Sequence, residues 1–162
     1  MSRLLTGIVS GGQTGADRAA LDAAVELGIP YGGWCPQGGW AEDRPEPPGL
    51  LADYPRLREA PSPVRAERTR LNVLDSDATL VVRSVGIASP GSDLTIALAK
   101  EAGRPLLVTD GDPAEFAAWL ATLEGEVVLN VAGPRESEQP GVYERARSLL
   151  LEVLGPESAA SE

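Results

Sequence analysis

Short apolar runs alternate along this chain with segments whose apolar residues recur every three or four positions. Leu4-Leu5-Thr6-Gly7-Ile8-Val9 is strand-like and stops at Ser10-Gly11-Gly12. After those glycines, Ala16, Ala19, Ala20, Ala23, Ala24 and Leu27 fall on one face of a helix. Thr14 with Asp17 three residues on reads as a capping box, and Gly28 then Pro30 as a stop. Downstream, residues 78–82, 105–108 and 127–131 read as buried strands, with a weaker strand at 29–32. Further helices are predicted over 63–74 and 92–102, the second with Ser92 as N-cap. Another follows Asp112, an N-cap with proline behind it, and the last follows Pro140. Strands that are apolar throughout and alternate with helices belong to a parallel sheet covered on both faces. The expectation is α/β, doubly wound, with five mainly parallel strands in one domain over residues 1–156. Residues 157–162 read as a disordered tail.

One stretch breaks the alternation. Seven of the fourteen prolines lie in residues 35–63, beside Gly38, Gly39 and Gly49. Ordinary connections run about 4–6 residues, so this one reads as a functional lid or a disordered loop.

Composition then removes whole classes of chemistry. The chain carries no histidine, which excludes Ser–His and Cys–His nucleophilic pairs and most zinc sites; no structural metal is expected. Cys35 is its one cysteine, read as structural, and is compatible with a reducing cytoplasm. A net charge of −10 disfavours nucleic acid as a partner. No apolar stretch reaches the roughly 18 residues of a membrane span, and no secretory leader precedes the first strand. A soluble cytoplasmic protein is the expectation.

In open α/β sheets, ligands bind at the carboxyl ends of the strands. Glycines and small polar residues gather at three such ends: Gly11, Gly12, Gln13, Thr14 and Gly15; Gly91, Ser92 and Thr95; and Gly133, Pro134, Arg135, Glu136 and Ser137. Each run leads into a helix and can offer free amides and a positive dipole end to an anion. The bland readings are ordinary turns, Asp17 as a helix cap, and Arg135 with Glu136 as a local surface pair. Arg68 and Arg70 would then belong to a solvated helix face. Trp34 and Trp40 flank a Gly/Pro loop and could stack on a planar ring or pack a subunit contact.

Several motifs occur in a characteristic order: Ser10-Gly-Gly-Gln-Thr-Gly-Ala-Asp17, then Gly32-Gly-Trp-Cys-Pro-Gln-Gly-Gly-Trp-Ala-Glu-Asp43, then Arg70, Gly91-Ser92 with Thr95, and Asn130-Val-Ala-Gly-Pro-Arg-Glu-Ser137. Together they resemble the molybdenum cofactor carrier family over nearly the whole chain. That resemblance implies a Rossmann-like, often tetrameric protein that holds the molybdenum cofactor or a molybdate-type oxyanion without covalent chemistry. It also implies a homo-oligomer, dimer or tetramer, and a molybdoenzyme acceptor. The family is in turn similar to the lysine-decarboxylase-like nucleotide phosphoribohydrolases. Here Ser92 and Leu94 replace glycines of their signature turn, and Ile96-Ala97-Leu98 offers no carboxylate where theirs stands. An N-glycosidase would have to work through Arg70 with Asp93 or Glu136. The leading expectation is a carrier of a phosphate-bearing ring compound; a nucleotide N-glycosidase and a nucleotide sensor are the alternatives.

Overall fold

The computed structural model describes residues 3–156, so the tail expected at 157–162 lies outside the described residues. β1 (Arg3–Val9) leads into α1 (Ala16–Leu27), and β2 (Tyr31–Gly32) follows. The 35–63 stretch is built rather than irregular. β3 (Trp34–Cys35) pairs in parallel with β4 (Arg58–Glu59), and a short α2 (Leu50–Asp53) lies between them. The chain then runs through α3 (Arg65–Leu74), β5 (Ala78–Val82), α4 (Pro90–Ala102), β6 (Leu106–Thr109), α5 (Pro113–Leu120), β7 (Gly125–Ala132) and α6 (Val142–Leu154).

Five strands form one parallel sheet in the order β2-β1-β7-β5-β6. The last strand of the chain is therefore inserted at the centre, with Leu129 beside both Ile8 and Ala78. All five residues of β5 are buried, as a strand covered on both faces requires. Ala78, Leu80 and Val82 join the core formed with α1, α5 and α6. Thr79 and Val81, also buried, point to the other face by the two-residue period of a strand. There α3 and α4 pack on each other, and α4 on β5 and β6.

The alanine stripe of α1 does what its spacing predicts. Ala16, Ala19, Ala20, Ala23 and Ala24 are wholly buried, and small side chains let α1 approach both α6 and the sheet. A second cluster of Leu21, Cys35, Ala41, Leu50 and Leu57 pins the 35–63 segment against α1. No helix among the described residues is long and apolar enough to cross a membrane.

Helix starts depart from the sequence reading in three places. Thr14 and Asp17 form no capping box: Gly15 occupies the N-cap at φ 82° with no side-chain cap. α3 begins at Arg65 rather than at 63. α4 begins at Pro90 with Ser89 in the cap position, because proline fits a first helical turn that has no acceptor for its N–H. Asp112 does cap α5, accepting the Ala114 amide at 3.0 Å.

Candidate functional site

Since β7 lies between β1 and β5, the loops leaving the carboxyl ends of these three strands are neighbours. A cavity of about 320 Å³ opens among them. The turn after β1 and the start of α1 contribute Gln13 and Asp17, and the turn after β5 with the start of α4 contributes Ser89, Gly91 and Thr95. Gly133, Arg135 and Glu138 enter from the turn after β7. α3 closes the remaining side with Arg65, Arg68 and Thr69.

Close packing of backbone holds these turns together. A Cβ on Gly133 would come 2.4 Å from the Val82 carbonyl oxygen and 2.6 Å from the Ala16 Cβ. A Cβ on Gly11 would come 2.0 Å from Arg68 Nη1, so the missing side chain is the space in which that guanidinium lies. Arg68 Nη1 donates to Asp17 Oδ2 at 3.2 Å. Asp17 is 3% exposed, and burial pushes its carboxyl above the usual carboxylate range against the opposing pull of Arg68. Arg68 lines the cavity, and its Nε is buried with no acceptor among the described residues.

The glycine turns do not all offer their amides outward, as the sequence reading expects. Gly12 N–H donates to Ser10 Oγ, Thr14 N–H to Gln13 Oε1, and Ala16 N–H to the Pro134 carbonyl. Arg135 N–H donates to Glu138 and Glu136 N–H to Thr14 Oγ1. The start of α4 is different. Gly91 and Ser92 stand in its first turn, where an amide has no intrahelical acceptor, and no side chain caps that end. This open terminus faces the cavity through Gly91.

Of the residues singled out from sequence, Gln13, Gly91, Thr95, Gly133 and Arg135 line the cavity. Gly12 packs under Leu50 and Leu57, Gly15 against Pro134, and Ser92 Oγ against Ser89 Oγ at 2.7 Å. Thr14 and Ser137 both hydrogen-bond Glu42. Arg135 pairs with Glu42 and Glu138, not with its neighbour Glu136. Glu136 instead accepts the amides of Gly141 and Tyr143 at the start of α6. Trp34 turns away: Arg58 stacks on its ring at 4.2 Å and its Nε1 donates to Asp75. Trp40 reaches the cavity indirectly, because Arg65 lies 3.6 Å over its ring.

The group expected for an N-glycosidase does not assemble. Arg70 pairs with Glu67 on the exposed side of α3, Asp93 pairs with Arg83, and Glu136 caps α6. Residues two apart on a helix point about 200° apart, so Arg68 and Arg70 cannot share a face. Arg68, on the side of buried Thr69 and Asn72, is the one that faces inward. The stripe of Thr69, Asn72 and Val73, extended back one turn, was the signal that distinguishes them. Arg65 and Glu138 carried no comparable local mark. Cys35 is buried beside Leu50, and burial pushes its thiol up to about 11.

The profile of the circularly permutated YpsA SLOG family matches residues 8–154. A crystal structure from Syntrophus aciditrophicus, bearing the name putative molybdenum carrier protein, is 40% identical, with a TM-score of 0.81 over 96% of this chain and 98% of that one. The E-1-hydroxy-2-methyl-but-2-enyl-4-diphosphate reductase of Plasmodium falciparum is 13% identical, with a TM-score of 0.37 over 95% of this chain and 54% of that one, too low to carry an argument. No curated protein matches the chain.

Proposed function

Because the chain belongs to the circularly permutated YpsA SLOG family, we propose that its cavity holds a phosphate-bearing ring compound or a molybdate-type oxyanion, with the molybdenum cofactor as cargo. One observation carries this reading. Arg65, Arg68 and Arg135 meet the uncapped start of α4 around a single cavity of about 320 Å³. That volume falls at the lower end of the roughly 300–1,000 Å³ typical of small-molecule sites. Guanidinium groups and free helix-start amides suit phosphate or molybdate oxygens. Arg65 stacked on Trp40 supplies a flat surface for a ring. The donors suit an oxyanion better than a bare metal ion: no group of three His, Cys, Asp or Glu side chains among the described residues could hold one. A metal in the cargo would then be ligated by the cargo itself.

The name of the Syntrophus relative supports the carrier reading over catalysis. Within it, this chain works as a cytoplasmic homo-oligomer that hands its cargo to a molybdoenzyme. Net charge does not oppose this, because surface carboxylates beyond about 8 Å are screened.

Thermal unfolding with molybdate, AMP or a pterin phosphate tests the proposal. A ligand at 100 times its Kd stabilises by about 2.7 kcal/mol, or roughly 5–11 °C for a domain of this size. Arg68→Met should abolish the shift and Arg70→Ala should keep it. No shift with any of the three ligands refutes the reading.

A further inference from the structure

Beside the cavity, the turns after β1 and β7 surround one of the chain's own carboxylates. Glu42 belongs to a tight turn closed by the Ala41–Arg44 bridge, in the segment between β3 and β4. One of its carboxylate oxygens accepts the Thr14 hydroxyl. The other accepts the Ser137 hydroxyl at 2.7 Å and lies 3.5 Å from Arg135 Nη1. Its amide donates to Gln13 Oε1 at 2.9 Å, the oxygen that also receives Thr14 N–H. Two hydroxyls and a guanidinium, brought from opposite ends of the chain, therefore converge on a single anion. This donor set would equally take the oxygens of a tetrahedral oxyanion.

Arg135 joins the two places. Its Nη1 faces Glu42, its Nη2 faces Glu138 at 3.3 Å, and its side chain lines the cavity. A guest anion that engages Arg135 competes directly with Glu42. The neighbouring residue is anchored on its own: Arg18 grips Asp43 with two hydrogen bonds of 2.8 and 3.0 Å and donates to the Gly12 carbonyl. Glu42 can therefore swing out while the segment stays attached at Asp43.

We propose that Glu42 is a built-in competitor, filling an oxyanion subsite formed by Thr14, Ser137 and Arg135 that the anionic end of the ligand takes over by displacing it. This rests on the anion-binding reading above. It adds a selection rule: the group displaced carries one negative charge, so a dianion gains more from the exchange than a monoanion. Phosphate monoesters and molybdate are favoured over diesters and singly charged oxyanions of the same shape.

The test uses molybdate as probe, with Kd from calorimetry and amide hydrogen exchange of residues 41–44. Glu42→Gln should bind molybdate about tenfold tighter than the parent, as expected if Glu42 is out of the subsite roughly a tenth of the time. In the parent, saturating molybdate should speed exchange of the Glu42 amide. A purely structural Glu42 predicts the reverse: weaker binding by the variant, and exchange slowed or unchanged. Either of those results overturns the displacement. If the variant does not fold, the exchange measurement on the parent decides alone. Parent protein that binds molybdate while Glu42→Gln binds no tighter sinks only this inference. Failure of both proteins to bind molybdate, AMP or a pterin phosphate overturns the anion-binding reading and the displacement with it.

Discussion

Two glycines of the same site respond in opposite ways to the same added methyl group. At Gly133 a Cβ would stand 2.4 Å from the Val82 carbonyl oxygen and 2.6 Å from the Ala16 Cβ. The first contact is backbone of a central strand, and the second is fixed to the backbone of the first turn of α1, so neither can swing aside. Restoring ordinary contact requires the β7 turn to move by roughly 1 Å against both, and overpacking of this kind costs about 1–3 kcal/mol. With rigid neighbours on two sides Gly133→Ala belongs near 3 kcal/mol, a fall of roughly 6–12 °C in Tm. At Gly91 a Cβ would meet nothing within 4 Å, and the backbone is already helical. Gly91→Ala should therefore stabilise, by about 0.4–1 kcal/mol, through the restricted unfolded chain. The assay is urea unfolding of the parent, both variants, Ala16→Gly, and Gly133→Ala combined with Ala16→Gly. Removing the Ala16 Cβ relieves only the 2.6 Å contact, so the double variant should show favourable coupling of about 0.5–3 kcal/mol yet remain below the parent. Gly133→Ala within about 0.5 kcal/mol of the parent would refute the packing argument, since that is the range of changes touching nothing important.

Two further predictions concern titration and reactivity. The hydrogen bond from Arg18, against some opposing burial, holds the Asp43 carboxyl below its ordinary 3.8. A depressed carboxylate adds stability that is present above the unfolded value and lost as pH falls through the folded one. The parent should accordingly lose Tm on acidification below pH 3.8 more steeply than Asp43→Asn, with no such divergence near neutrality; parallel acid limbs would count against the Arg18–Asp43 pair. Cys35, wholly buried and with its thiol pushed up to about 11, should react with a disulfide reagent at pH 8 only in denaturant. Rapid labelling of the native protein would show that the 35–63 segment opens freely.

That segment shows how far local pattern reaches. Its prolines and glycines mark an irregular connection, but Leu50 and Leu57, which pack with Cys35 and Leu21, follow no period that would reveal α2 or the β3–β4 pair. The alanine stripe of α1, the strands at 78–82 and 127–131, and the glycine turns behind β1, β5 and β7 were legible, because each depends on residues within a few positions of one another. The choice between Arg68 and Arg70 sat at the limit of that information. Both are arginines on one helix, and only the buried face of Thr69 and Asn72 separates them.

Sequence by itself determined the α/β alternation, the buried strand at 78–82 and the places where the chain must turn, since side-chain period and glycine or proline chemistry act over one or two turns of backbone. The strand expected to be buried at 105–108 is instead the half-exposed edge β6, because among the described residues no further strand covers its outer side. Only the tertiary structure decided that β7 slides between β1 and β5, that Arg135 and Glu138 face Arg65 and Arg68 across the cavity, and that Glu42 fills the space between Thr14 and Ser137. Those contacts join segments distant in the chain. They are chosen by which packing buries the most apolar surface while satisfying its polar groups, a competition that no local stretch of residues records.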